Sequence, residues 1–85
     1  MIFIDVREPD EFASGHVDGA VNIPLVELMS GASKLDGIPK DEELIVYCRT
    51  GSRSAMAIPM LRELGFTNLK NGINQDYVNK NYLVS

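Results

Sequence analysis

The sequence has no tryptophan, a single cysteine and a single histidine in 85 residues. One cysteine excludes an internal disulfide, and one cysteine with one histidine does not by itself fill a tetrahedral zinc shell. No run approaches the ~18 apolar residues of a membrane-spanning helix, so no membrane contact is expected. The N-terminus lacks a basic stretch leading into an apolar run and a small-residue cleavage site, so no export signal is read and a cytoplasmic location is expected. Bases are scarce, eight Lys and Arg against twelve Asp and Glu, for a net charge of −4. That balance argues against nucleic-acid binding through a broad basic face. Internal repeats and low-complexity stretches are also missing. At this length one core is the limit, so a single domain over residues 1–85 is expected.

What is present is ordinary for a globular chain, with 45% apolar and 24% charged residues. The charge is unevenly placed. Residues 1–43 carry ten acids against Arg7, Lys34 and Lys40, whereas residues 44–85 carry five bases against Glu63 and Asp76. The cysteine lies in the positive half.

Short apolar runs alternate with helical patterns. Ile2 to Val6 reads as a buried strand, rich in β-branched and aromatic residues. Pro9 to Phe12 opens a short helix, with proline early and acids in the first turn, and Gly15 ends it. Glu8, Asp10 and Glu11 read there as a solvated acidic face. Ala20 to Ile23 is a second strand stopped by Pro24. Leu25 to Met29 is a helical turn or two, and Ser33 to Glu43 reads as loop. Leu44 to Tyr47 is the clearest strand and runs straight into Cys48. A helix is expected over Ser52 to Leu64, burying Ala55, Ile58, Leu61 and Leu64, with Gly65 just past its end. Pro59 predicts a lost backbone bond and a kink inside it. Met56 and Met60 read as core. Thr67 to Lys70 is a last short strand, and beyond Gly72 the pattern is weak. Alternating strands and helices imply an α/β fold with a mainly parallel sheet of four or five strands flanked by helices.

A cysteine at the carboxyl end of a buried strand, directly before a helix, is the informative feature. Ligands of open α/β sheets bind outside the carboxyl ends of the strands. A helix N-terminus offers unpaired N–H groups and partial positive charge, which favour an anion and favour thiolate over thiol. Arg49 and Arg53 act in the same direction. Gly51 permits a tight turn that aims several N–H groups inward. The arrangement suits a nucleophilic sulfur handling an anionic substrate. The bland alternative for Cys48 is an inert core thiol, and its setting between strand and Arg-Thr-Gly-Ser-Arg weighs against that. Arg53 stays open between substrate contact and a structural clamp. His16 reads as part of a turn rather than as a partner of Cys48. Asp5 and Arg7 read as a supporting pair behind the loop.

The run Cys48-Arg49-Thr50-Gly51-Ser52-Arg53-Ser54 resembles the active-site loop of the rhodanese family of sulfurtransferases. Ile4 to Phe12 followed by Gly15 to Pro24 resembles that family's N-terminal signature, and Leu61 to Phe66 is similar as well. The resemblance covers about residues 2–72 and implies a small single-domain member. It implies Cys48 as the nucleophile, with Arg49, Thr50, Gly51, Ser52 and Arg53 around the substrate and no cofactor or metal. Related phosphatases and arsenate reductases carry one residue more between cysteine and arginine, so the loop here implies a cradle for a sulfane sulfur rather than a phosphoryl group. The reaction implied moves sulfur from thiosulfate or a persulfide donor to a thiol or cyanide through a Cys48 persulfide. Implied partners are a small anionic donor and a thiol or acceptor protein, and the expected form is a monomer. The competing reading is a non-catalytic binding or sulfur-relay module. A thiol redox sensor is a further alternative, disfavoured by the lack of a resolving cysteine. The family's usual Gly-Gly turn stands here as Asn71-Gly72, with Asn71 expected in a left-handed conformation.

Overall fold

The computed structural model describes residues 1–83, so the last two residues of the expected 1–85 domain lie outside the described residues. The strands are β1 (Ile2–Asp5), β2 (Val21–Asn22), β3 (Leu44–Cys48) and β4 (Leu69–Asn74). The helices are α1 (Pro9–Ala13), α2 (Leu25–Met29), α3 (Ser52–Glu63) and α4 (Gln75–Tyr82), with a 3-10 turn at Ser33–Leu35. The four strands form one sheet in the order β2-β1-β3-β4, and every pairing is parallel. The expected α/β architecture with a parallel sheet is therefore what forms.

All five residues of β3 are buried. A strand covered on both faces needs apolar side chains in both directions, which is why Leu44 to Cys48 reads as a continuous apolar run. Alternation divides it. Leu44, Val46 and Cys48 join Ile4, Ala57, Leu61 and Phe66 in the larger core beneath α2 and α3. Ile45 and Tyr47 point the other way, into a smaller core with Phe3, Val17 and Val78. The cysteine thus ends the most protected strand, on the face that α3 covers.

Helix α3 has sharp ends. Gly51 precedes it at φ 92°, and Gly65 follows it at φ 103°. At the C-terminus the N–H of Gly65 bonds the carbonyl of Arg62 and that of Phe66 bonds the carbonyl of Leu61, a Schellman closure. The buried stripe is Ser54, Ala57 and Leu61, and Ala55 is exposed. Of the expected Ala55-Ile58-Leu61-Leu64 series, Leu61 is buried and Ile58 and Leu64 pack against the core margin, while Ala55 falls off the covered face because steps of three fall short of the 3.6-residue turn. Met56 is exposed rather than core, whereas Met60 packs against the core margin. The helix runs on through Pro59, which sits on the solvent side.

The C-terminal third departs most from expectation. β4 begins later and extends to Asn74, and α4 follows it directly. The register slips between Val46 and Tyr47: Val46 faces Asn71, while Tyr47 faces Ile73. Gly72 is the extra residue of this bulge. A Cβ on Gly72 would lie 2.7 Å from Val78 and 2.9 Å from Ile45, so only glycine lets α4 settle on the sheet. Asn71 is not the left-handed residue; Ile73 is, at φ 69°. A β-branched residue in that region is a genuine outlier, stored at the edge of the cysteine loop.

Candidate active site

Cys48 leaves β3 and the chain turns through Arg49-Thr50-Gly51 into α3. The left-handed Gly51 aims its N–H at the sulfur, 3.1 Å away. The Ser54 hydroxyl stands 3.7 Å from the same sulfur. Burial pushes the Cys48 thiol up, but the Ser54 N–H and hydroxyl and the N–H groups of Thr50 and Gly51 outweigh it. The thiol is held down at about 7, against an ordinary 9.0. A large fraction is therefore thiolate at neutral pH, in a cage of donors at a helix N-terminus.

A cleft of about 280 Å³ opens over the sulfur, lined by Arg7, Cys48, Arg49, Asn74, Gln75 and Asp76. Arg7 is fixed from behind. Asp5, fully buried at the end of β1, accepts from Arg7 Nε at 3.0 Å and from Nη2 at 2.7 Å. Nη2 also donates to the Gly15 carbonyl at 2.7 Å. The Arg7 guanidinium lies over the Tyr47 ring at 5.8 Å, and the Tyr47 hydroxyl accepts from the Val17 N–H at 3.0 Å. A buried carboxylate without its guanidinium would be costly, so each group holds the other in place.

Arg53 turns away from the cleft. Its Nη1 and Nη2 donate to the two Glu11 oxygens at 2.7 and 3.1 Å, a bidentate pair that ties α3 to α1. Glu11 also accepts from the Glu8 N–H at 3.0 Å. Glu11 is thus a bridge between helices, not the solvated acid its position suggests. Arg49 is largely exposed and reaches Glu11 only at 3.9 Å. Thr50 and Ser52 bond each other through their hydroxyls at 3.1 Å, outside the cleft lining. His16 stacks on Phe12 and bonds the Phe12 carbonyl at 2.8 Å, as a turn residue does.

The structure therefore brings Cys48, Arg49 and Arg7 to one cleft, supports Arg7 with Asp5, and places Ser52 and Arg53 on its outer side. Sequence reasoning missed Ser54, Asn71 and the Asn74-Gln75-Asp76 wall. The wall had one readable signal: Asn74 caps α4 by accepting from the Tyr77 N–H, three residues on. Ser54 and Asn71 meet only through tertiary packing, with the Ser54 hydroxyl 2.7 Å from Asn71 Oδ1.

The chain is similar to known proteins over most of its length. It is 39% identical over 70 residues to the thiosulfate sulfurtransferase PspE of Escherichia coli, covering 81% of this chain and 65% of that protein. It is 36% identical over 80 residues to a putative mitochondrial thiosulfate sulfurtransferase of Schizosaccharomyces pombe, covering 82% of this chain and 56% of that one. The chain thus spans between about half and two thirds of the length of these curated relatives. Among solved structures, a rhodanese with anions from E. coli superposes with a TM-score of 0.78 at 34% identity, covering 89% of this chain and 88% of that one. Residues 1–76 match the rhodanese-like domain, and with its parallel sheet, its cysteine loop and these likenesses the chain belongs to the rhodanese-like family.

Proposed function

We propose that the protein is a single-domain thiosulfate sulfurtransferase that carries sulfane sulfur on Cys48. The observation that carries this reading is the Gly51 N–H aimed at a sulfur whose pKa is lowered to about 7, at the floor of a cleft that Arg7 and Arg49 flank. The Cys48 thiolate attacks the outer sulfur of thiosulfate. A sulfur–sulfur bond forms to Cys48, the bond to the oxidised sulfur breaks, and sulfite leaves with the electron pair. An acceptor thiolate or cyanide then attacks the outer sulfur of the persulfide and returns Cys48 as thiolate. This is covalent catalysis in two displacements, and neither needs a general base when nucleophile and acceptor are already anions. The N–H groups that stabilise the thiolate are placed to stabilise the persulfide anion.

Arg7 and Arg49 orient the anionic donor. Thr50, Gly51 and Ser52 shape the loop, and Arg53 holds it to α1 through Glu11. The partners are a small sulfur donor and a thiol or acceptor protein. The protein acts as one domain, as a monomer and in the cytoplasm. Among the described residues no helix is long and apolar enough to cross a membrane.

Intact-mass spectrometry after incubation with thiosulfate tests the reading. Wild type gains one sulfur atom that a reductant removes, and Cys48→Ser does not. A wild type that takes up no sulfur from thiosulfate or from persulfide donors returns the protein to the binding-module reading.

A further inference from the structure

The Ser54 hydroxyl has one proton and three acceptors around it. Asn71 Oδ1 is 2.7 Å away, the Gly51 carbonyl 3.1 Å and Cys48 Sγ 3.7 Å. The shortest contact wins the proton while the sulfur is a neutral thiol. The amide of Asn71 cannot turn to release it. Its Oδ1 accepts from the Ile73 N–H at 2.9 Å, and its Nδ2 donates to the Gly51 carbonyl at 3.2 Å. A flipped amide would set its NH2 against the Ile73 N–H. The bulge at Gly72 fixes the backbone on which Asn71 stands.

We propose that Asn71 is a positioning residue that competes with the Cys48 sulfur for the Ser54 hydroxyl proton. In the thiol form the Ser54 hydroxyl donates to Asn71. When the thiol loses its proton to solvent, the hydroxyl rotates and donates to the thiolate, giving up its bond to Asn71. Asn71 thereby sets how much of the Ser54 bond the thiolate receives, and with it the pH at which the nucleophile forms. Ser54 is fully buried, and its backbone N–H also bonds the sulfur but is untouched by either substitution, so the variants isolate the hydroxyl. The proposal rests on Cys48 being the reacting group of the transfer reaction. Its test uses no sulfur donor, so failure of that reading leaves the test valid.

The charged groups that line the cleft with the sulfur are Arg7 after β1, Arg49 in the loop and Asp76 on α4; Arg53 on α3 turns to Glu11, and only its charge reaches Cys48. Asp5, Glu11 and Tyr47 stand behind the arginines. None of these is altered in the test, and Cys48 is the only thiol. The rate of alkylation by iodoacetamide is followed against pH for wild type, Ser54→Ala, Asn71→Ala and the double variant. Ser54→Ala raises the midpoint by roughly half to one pH unit, the size of one lost hydrogen bond to the thiolate. Asn71→Ala lowers it by about half a unit, since the thiolate no longer competes for the donor. In the double variant the Asn71 effect vanishes and the midpoint coincides with that of Ser54→Ala. A merely structural Asn71, stapling the loop through Gly51, would change stability and leave no shift that depends on Ser54. Asn71→Gly, which also removes the amide, serves as a second variant with the same expected shift. The proposal is overturned if the Asn71 variants leave the midpoint unchanged or raise it. It is equally overturned if their shift persists without Ser54, or if Ser54→Ala alone leaves the midpoint in place.

Discussion

Glu11 shows how one carboxylate can set both local shape and pH response. The Arg53 hydrogen bonds, helped by the Glu8 N–H, draw its pKa from 4.5 down to about 2. A carboxyl depressed in the folded state contributes stability above its unfolded value and loses it as pH falls through the folded value. The Glu11–Arg53 pair is therefore at full strength above pH about 4.5 and is spent by about 2. Urea midpoints of wild type and Glu11→Gln are expected to differ most at neutral pH and to converge across that window. A constant difference down to the acid end would assign the effect to packing instead. At this scale the placement of Cys48 at the floor of the loop was legible, because a cysteine between a strand and a Gly-containing helix start is a local pattern. Glu11 looked like a helix N-terminal acid, since nothing in a sequence reports that Arg53, 42 positions away, lies across from it. Ser54 and Asn71 were hidden for the same reason.

Among the elements, β1, β3 and α3 were legible because each carries its own signal: β3 is apolar throughout and β1 up to its terminal Asp5, and α3 is bracketed by glycines in left-handed conformations. β4 and α4 were not. β4 is an edge strand whose only fully buried residue is Gly72, and α4 buries Val78 alone, so neither shows an apolar period. What holds them is shape. Gly72→Ala pushes a methyl carbon to within 2.7 Å of Val78 and 2.9 Å of Ile45, where overpacking costs about 1–3 kcal/mol. Thermal melting is expected to drop accordingly, with amide exchange quickening first in α4. Because α4 carries Gln75 and Asp76 of the cleft wall, the same variant is expected to weaken donor binding more than thiol alkylation. Unchanged melting would mean that the bulge can absorb the methyl group.

The whole molecule has a Cα radius of gyration of 11.6 Å, close to the ~12 Å expected for a compact domain of this length. Sedimentation at increasing concentration is expected to hold at the monomer mass of 9.4 kDa. The exposed Val26, Met29 and Met56 are the surface that a concentration-dependent rise in mass would implicate. The α/β class was legible at this scale because alternation of strand and helix survives local errors in boundaries. Strand order was not, since β1 could pair with any later strand. The order β2-β1-β3-β4 has a consequence for synthesis on the ribosome. β1 lies between two strands that emerge after it, and a nascent chain that stops short of Leu44 holds only the narrow β1–β2 pair. The segment that fills the middle of the sheet is the same one that delivers the sulfur. A growing chain therefore holds no poised thiolate until β3 has joined β1 and the residues after Cys48, which supply the Gly51 and Ser54 donors, have been made.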